Sequence, residues 1–241
     1  MREKMKLWKK LCVLKKQELI ILFSVQSAGF LIGMIFTFIS ANAGVTIPLG
    51  FIIGIGVVFC CVYFAGMSFF AQDFNLALKM GETRKEFLFP YLLFTAGELA
   101  CCCLYNILLI QIETAVIWIA GLGKAGGIKG LEFYGVSLLF VYFMLIIYAV
   151  SIEAVFGALF VKFGKKAFWA LWCIWMFVCI GGSRIAEWSA HHQESLFYKI
   201  GSSLFSGITR NEPGTYLRGI LFLAAAIGIS WILLRKEAVN Q

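Results

Sequence analysis

Ala71–Phe87, AQDFNLALKMGETRKEF, is the longest polar interruption in the first half of a very apolar chain. Phe74–Asn75–Leu76–Ala77–Leu78 reads as a short amphipathic turn. Gly81 breaks it, and the charged run Glu82–Thr83–Arg84–Lys85–Glu86 follows. Long apolar runs flank the stretch on both sides. A connector between two membrane spans can be a plain hydrophilic loop. This one carries its own apolar side chains, a glycine break and both signs of charge, which suits it to docking on another surface.

The 241 residues are 61% hydrophobic and 14% charged, against about 45–50% and about 25% in soluble domains. Mean hydropathy is +0.88. A water-soluble domain of this length could not hide so much apolar surface. The chain therefore reads as an integral membrane protein, all-α, with six transmembrane helices. Its net charge of +8 does not point to nucleic acid, because no aromatic-rich basic groove accompanies it. Arg2, Lys4, Lys6, Lys9, Lys10, Lys15 and Lys16 all precede the first apolar run, which is the pattern of an anchor on an anionic leaflet. Of the eight cysteines, seven fall in apolar runs and Cys12 lies in the basic N-terminal segment. None lies in an outer segment and there is no CxxC pair, so they read as reduced, apolar packing residues.

Residues 1–18 read as a cytoplasmic interfacial helix, with Trp8, Leu11, Leu14 and the stem of Lys15 on one stripe. The six-span domain covers 19–241, with spans at about 19–39, 47–70, 88–120, 133–161, 167–182 and 216–234. Gly29 and Gly33 in the first span have the GxxxG spacing that lets helices approach closely, and Gly50, Gly54 and Gly56 leave a smooth strip on the second. The run from Leu88 exceeds one crossing, so it is a long tilted helix or a span followed by an outer-leaflet segment. Residues 183–214, with His191 and His192, read as one or two re-entrant outer helices. Fifteen of the 21 Lys and Arg lie in the two terminal segments and the loops 71–87 and 162–166. The positive-inside rule then puts both termini in the cytoplasm.

No nucleotide-binding GxxxxGK[ST] occurs, so any ATP would be bound by another polypeptide. Adjacent histidines diverge on a helix or strand and read as surface residues, so no metal site and no catalytic residue is assigned. Carboxylates in hydrocarbon are costly and tend to be functional. Glu98 is the deepest, with function and packing evenly balanced. Glu113 falls toward the outer interface, and Glu153 falls near the inner end, within reach of Lys162 or Lys165; packing is favoured for both.

Phe74–Phe87, FNLALKMGETRKEF, resembles the coupling loop of the small permease subunits of bacterial type-2 ATP-binding cassette exporters, whose layout the whole chain shares. The resemblance implies a coupling helix between spans 2 and 3 and re-entrant helices before span 6. It implies two copies of a separate ATPase that holds ATP and Mg²⁺, and a second permease chain, identical or a sister subunit, in the bacterial cytoplasmic membrane. Asp73, Phe74, Asn75, Leu76, Leu78, Lys79, Gly81, Glu82, Arg84 and Lys85 would couple to the ATPase. Glu98, Trp169, Trp172 and Trp175 would line the path of a hydrophobic or amphipathic cargo, such as a peptide or lipid-like molecule. The competing expectations are an ATP-independent secondary transporter or channel, and a membrane enzyme. No internal repeat or catalytic constellation is found for either.

Overall fold

A computed structural model describes residues 2–42, 47–79, 83–122, 128–129, 132–133, 136–177 and 213–235. Its helices are α1 (Arg2–Asn42), α2 (Gly50–Lys79), α3 (Arg84–Ile119), α4 (Leu138–Phe163), α5 (165–177) and α6 (Pro213–Leu234). Among the described residues, five segments are long and apolar enough to cross a bilayer: Lys15–Ala41, Gly50–Lys79, Phe87–Ile119, Leu138–Phe163 and Gly214–Leu234. The chain is a helical, multi-pass membrane protein. Of the expected fifth span, residues 167–177 are described, within α5. The two histidines and most of the expected re-entrant segment lie outside the described residues.

Three boundaries differ from the expectations, and one alternative left open is resolved. Helix α2 runs unbroken to Lys79, so Phe74–Leu78 is the end of the second span rather than a separate turn after a span ending near 70. The interfacial segment and the first span are one unbroken helix, because no glycine or proline stands between Arg2 and Ala28 to stop it. The stretch from Leu88 is one long helix, the first of its two expected readings. It ends in a Schellman motif, with Gly121 at φ +70°, Gly121 N–H donating to Trp118 O and Leu122 N–H to Ile117 O. The fourth span starts at Leu138, not near 133. Before it, β1 (Ile128–Lys129), β2 (Glu132–Phe133) and β3 (Val136–Ser137) pair antiparallel in sequence order. Gly126, Gly127, Gly130 and Gly135 make this stretch a poor helix former.

Each long helix buries one stripe. On α3 it runs through Tyr91, Thr95, Glu98, Cys102, Asn106, Ile110, Glu113 and Ile117, the three-to-four spacing of one helical face. The α1–α2 crossing brings backbone close to backbone. A Cβ on Gly33 would stand 2.6 Å from Gly50 Cα, and one on Gly29 would stand 3.3 Å from Gly54 Cα. The two glycine strips thus lie on each other, and backbone meets backbone. At the other side of α2, Phe70 fills the place where Gly157 of α4 has no side chain. Helices α4 and α6 run parallel, since Phe140 meets Tyr216 and Tyr148 meets Phe222 further along both.

Gly33→Ala forces the α1–α2 backbones apart and should destabilise the protein by about 1–3 kcal/mol, the usual effect of overpacking. Gly97→Ala, with nothing within 4 Å of its Cβ, should be neutral or slightly stabilising. Thermal unfolding of both variants in detergent checks the contrast.

Candidate functional site

The end of the bundle at which α1 begins holds a buried cluster of charges drawn from four helices. Lys15 lies on the inward stripe of α1 and is only 3% exposed. Its Nζ bonds the Glu18 carboxylate one turn along, stands 3.6 Å from Glu98 Oε2 on α3, and lies 4.1 Å over the Tyr91 ring. Tyr91 Oη donates to Glu153 Oε1 of α4 at 2.7 Å. Glu153 fits because the facing position on α2 is Gly66, whose Cβ would stand 3.3 Å from Glu153 Cδ. Asp73 of α2, also buried, is within electrostatic range of Lys15, Glu18 and Glu153.

Glu18, Thr95, Glu98 and Glu153 line one small cavity between these helices. The space open to the centre of a water molecule is about 20 Å³, enough for one water. Two buried carboxylate oxygens, Glu98 Oε1 and Asp73 Oδ2, have no hydrogen-bond partner. Among the described residues, no three carboxylate, thiol or imidazole groups converge closely enough to hold a metal ion. The arrangement is suited to holding a cation of the smallest kind, or to fixing four helices to one another.

Glu113, which falls toward the outer interface in the sequence, is 0% exposed inside the bundle and has the packing role favoured for it. Its Oε1 accepts from Thr37 Oγ1 at 2.8 Å and from Gly50 N–H at 2.8 Å, while Oε2 accepts from Phe51 N–H at 2.9 Å. A helix N-terminus has unpaired N–H groups and a partial positive charge. Here α3 supplies the carboxylate that caps α2. Midway along the bundle, Gln26 of α1 donates to Cys102 O and Asn106 Oδ1 of α3, and Asn106 Nδ2 donates to Tyr142 Oη of α4. Such ladders are how helices without a hydrophobic drive between them gain specificity.

The expected coupling residues divide. Asp73 and Phe74 are 6% and 1% exposed, so they are not offered to a partner. They continue the buried face of α2 through Phe70, Asp73, Phe74 and Ala77. Asn75 and Leu78 are half-buried, and Leu76 and Lys79 are exposed. Gly81 and Glu82 lie outside the described residues, and Arg84 and Lys85 open α3. Phe74 packs with Phe70, Phe87 and, through them, Tyr91. Of the expected path residues, Trp169 and Trp172 meet edge-on with ring centroids 5.8 Å apart, and the others stand elsewhere. Glu98 is in the charged cluster, Trp169 and Trp172 are on the outer side of α5, and Trp175 packs edge-on against Phe64 of α2. Glu153 meets Tyr91 rather than Lys162, whose Nζ lies 5.6 Å over the Phe163 ring.

The chain matches no protein-family model, no curated protein and no solved structure with which it was compared.

The sequence pattern does not single out Lys15, Glu18, Tyr91 and Thr95 as members of a site. The signal is faint but present, because Lys15 shares the stripe of Trp8 and Leu22 at seven-residue spacing. A lysine on an inward stripe needs an acid from a neighbouring helix. Glu113→Ala should strand the N–H groups of Gly50 and Phe51, at about 1–3 kcal/mol for each buried donor left unpaired. Glu113→Gln, which keeps one acceptor oxygen, should lose less. Chemical unfolding in micelles measures the difference.

Proposed function

We propose that the chain is the permease subunit of an ATP-binding cassette exporter in the bacterial cytoplasmic membrane, driven by separate ATPase subunits. The observation that carries this reading is the seating of the connector between α2 and α3. Its two ends are anchored by Phe74 and Phe87, which pack on each other and on Phe70 and Tyr91 in the core. A load applied at the exposed Leu76 and Lys79 would reach the spans directly, as a coupling element requires. Closure of an ATPase dimer beneath two permease chains would rock these helices between inward- and outward-open arrangements.

Two further features support it. Helices α4 and α6 run in the same direction, the arrangement expected of a bundle with six crossings and both termini on one side. The basic residues concentrate on that side, which favours the cytoplasm. Between α2, α4 and α5 lies an apolar groove of about 290 Å³ lined by Phe59, Tyr63, Tyr148, Ile152 and Trp175. Its aromatic walls suit a hydrophobic or amphipathic cargo, such as a peptide or lipid-like molecule. The buried charges around Glu98 are the observation that favours the second reading, an ATP-independent secondary transporter.

Co-purification with an ATPase encoded by a neighbouring gene, and stimulation of its hydrolysis in lipid, tests the proposal. Glu82→Ala combined with Arg84→Ala should reduce stimulation at least tenfold while the membrane chain still folds. Stimulation and transport left intact by that pair would remove the docking role. A Lys79→Cys probe, in a background cleared of reactive cysteines, should take up a membrane-impermeant maleimide only from the cytoplasmic face.

A further inference from the structure

The charges around the small cavity do not balance. Lys15 of α1 brings one ammonium, whereas Glu18 of α1, Asp73 of α2, Glu98 of α3 and Glu153 of α4 bring four carboxyl groups. Glu18 takes the ammonium directly, Glu98 shares it from 3.6 Å, and Glu153 is met by the neutral hydroxyl of Tyr91. Uncompensated carboxylates in an apolar bundle are strongly disfavoured. Like charges that share one site relieve each other by keeping a proton.

The geometry indicates where that proton resides. Glu98 and Glu153 line the same single-water cavity with Thr95 and Glu18. Glu98 is more than nine-tenths buried, and its Oε1 has no hydrogen-bond partner. An oxygen that accepts nothing in such a place is well disposed to carry the proton and to donate it onward. No metal-sized group of ligands stands nearby among the described residues, which leaves the proton as the fitting cation.

We infer that Glu98 and Glu153 together form a proton-binding site, with one exchangeable proton passed between them and the bulk through a water in this cavity. In the release step the carboxylic acid gives its proton to the water and becomes a carboxylate. Only O–H bonds form and break, and no electrons change hands. The groups that face the site are Lys15 and Glu18 from α1, Asp73 from α2, Tyr91 and Thr95 from α3, and Glu153 from α4. Alkaline conditions empty the site and leave Lys15 facing an excess of negative charge. Mild acid fills it.

Infrared difference spectroscopy of the full chain in lipid nanodiscs reads the proton without any ATPase, so its outcome is separate from that of the permease reading. The wild-type protein should show, at neutral pH, the carbonyl stretch of a protonated carboxylic acid, which moves down in D₂O and fades on alkaline titration. Glu98→Gln or Glu153→Gln should remove or shift that band, while Glu113→Gln, which lies outside this cluster, leaves it. A wild-type spectrum without the band overturns the inference, and so does a band that neither Glu98→Gln nor Glu153→Gln alters. The wild-type spectrum is decisive on its own if a variant fails to fold.

Discussion

A carboxylate among apolar helices has to be answered by a donor, and this bundle is held by how it answers its own. Glu113 reaches from α3 to the N-terminus of α2. Glu153 of α4 is met by Tyr91 of α3, and Glu98 of α3 by Lys15 of α1. Each bond joins two helices, and together the bonds link all four that form the body of the molecule. Apolar packing alone would not fix which helix lies beside which, since lipid tails satisfy a leucine as well as another helix does. The buried polar groups supply that selection.

Glycine decides where the polar groups can meet. Only because Gly29 and Gly33 lie on Gly54 and Gly50 can α1 come close enough to α2 for Thr37 to reach both Leu49 N–H and Glu113. Only because Gly66 has no side chain does Glu153 fit against α2 on its way to Tyr91. Phe70 uses the corresponding gap at Gly157. Small residues and acids are thus paired features of one packing scheme. A methyl group at one of these glycines would be felt at a carboxylate on a different helix.

Much of this scheme is legible in the residues alone. Long apolar runs announce the spans, and the glycine spacing in the first two marks the surfaces that meet. The three membrane glutamates stand out because carboxylates are rare in such runs. Which helices are neighbours is not legible. Periodicity fixes the face a residue occupies but not what that face touches, so Lys15 reads as part of a headgroup-lying helix and Glu153 as within reach of Lys162 or Lys165. The interfacial helix and first span look like two elements because charge density changes at 18, yet backbone propensity does not change there, and the helix continues. The buried side of Phe74 is concealed for a similar reason. A polar connector reads as exposed until the aromatic cluster that claims one of its faces is seen.

The connector and the charged cluster are mechanically one unit. Tyr91 packs on Phe87, which holds one end of the connector, and on Phe70, which stacks on Phe74 at the other; its hydroxyl holds Glu153 while its ring faces Lys15. Aromatic side chains in contact at about 5–6 Å cannot slide independently in an interior packed at crystal density. A displacement of Phe74 or Phe87 therefore moves Tyr91, and a displaced Tyr91 changes the hydrogen bond to Glu153 and the cation contact at Lys15 together. Under the proposed functions, the force delivered at the connector and the proton held at Glu98 and Glu153 would meet in this one residue. The protonation state would bias the bundle and the bundle's state would bias the proton, because coupling between two sites is reciprocal.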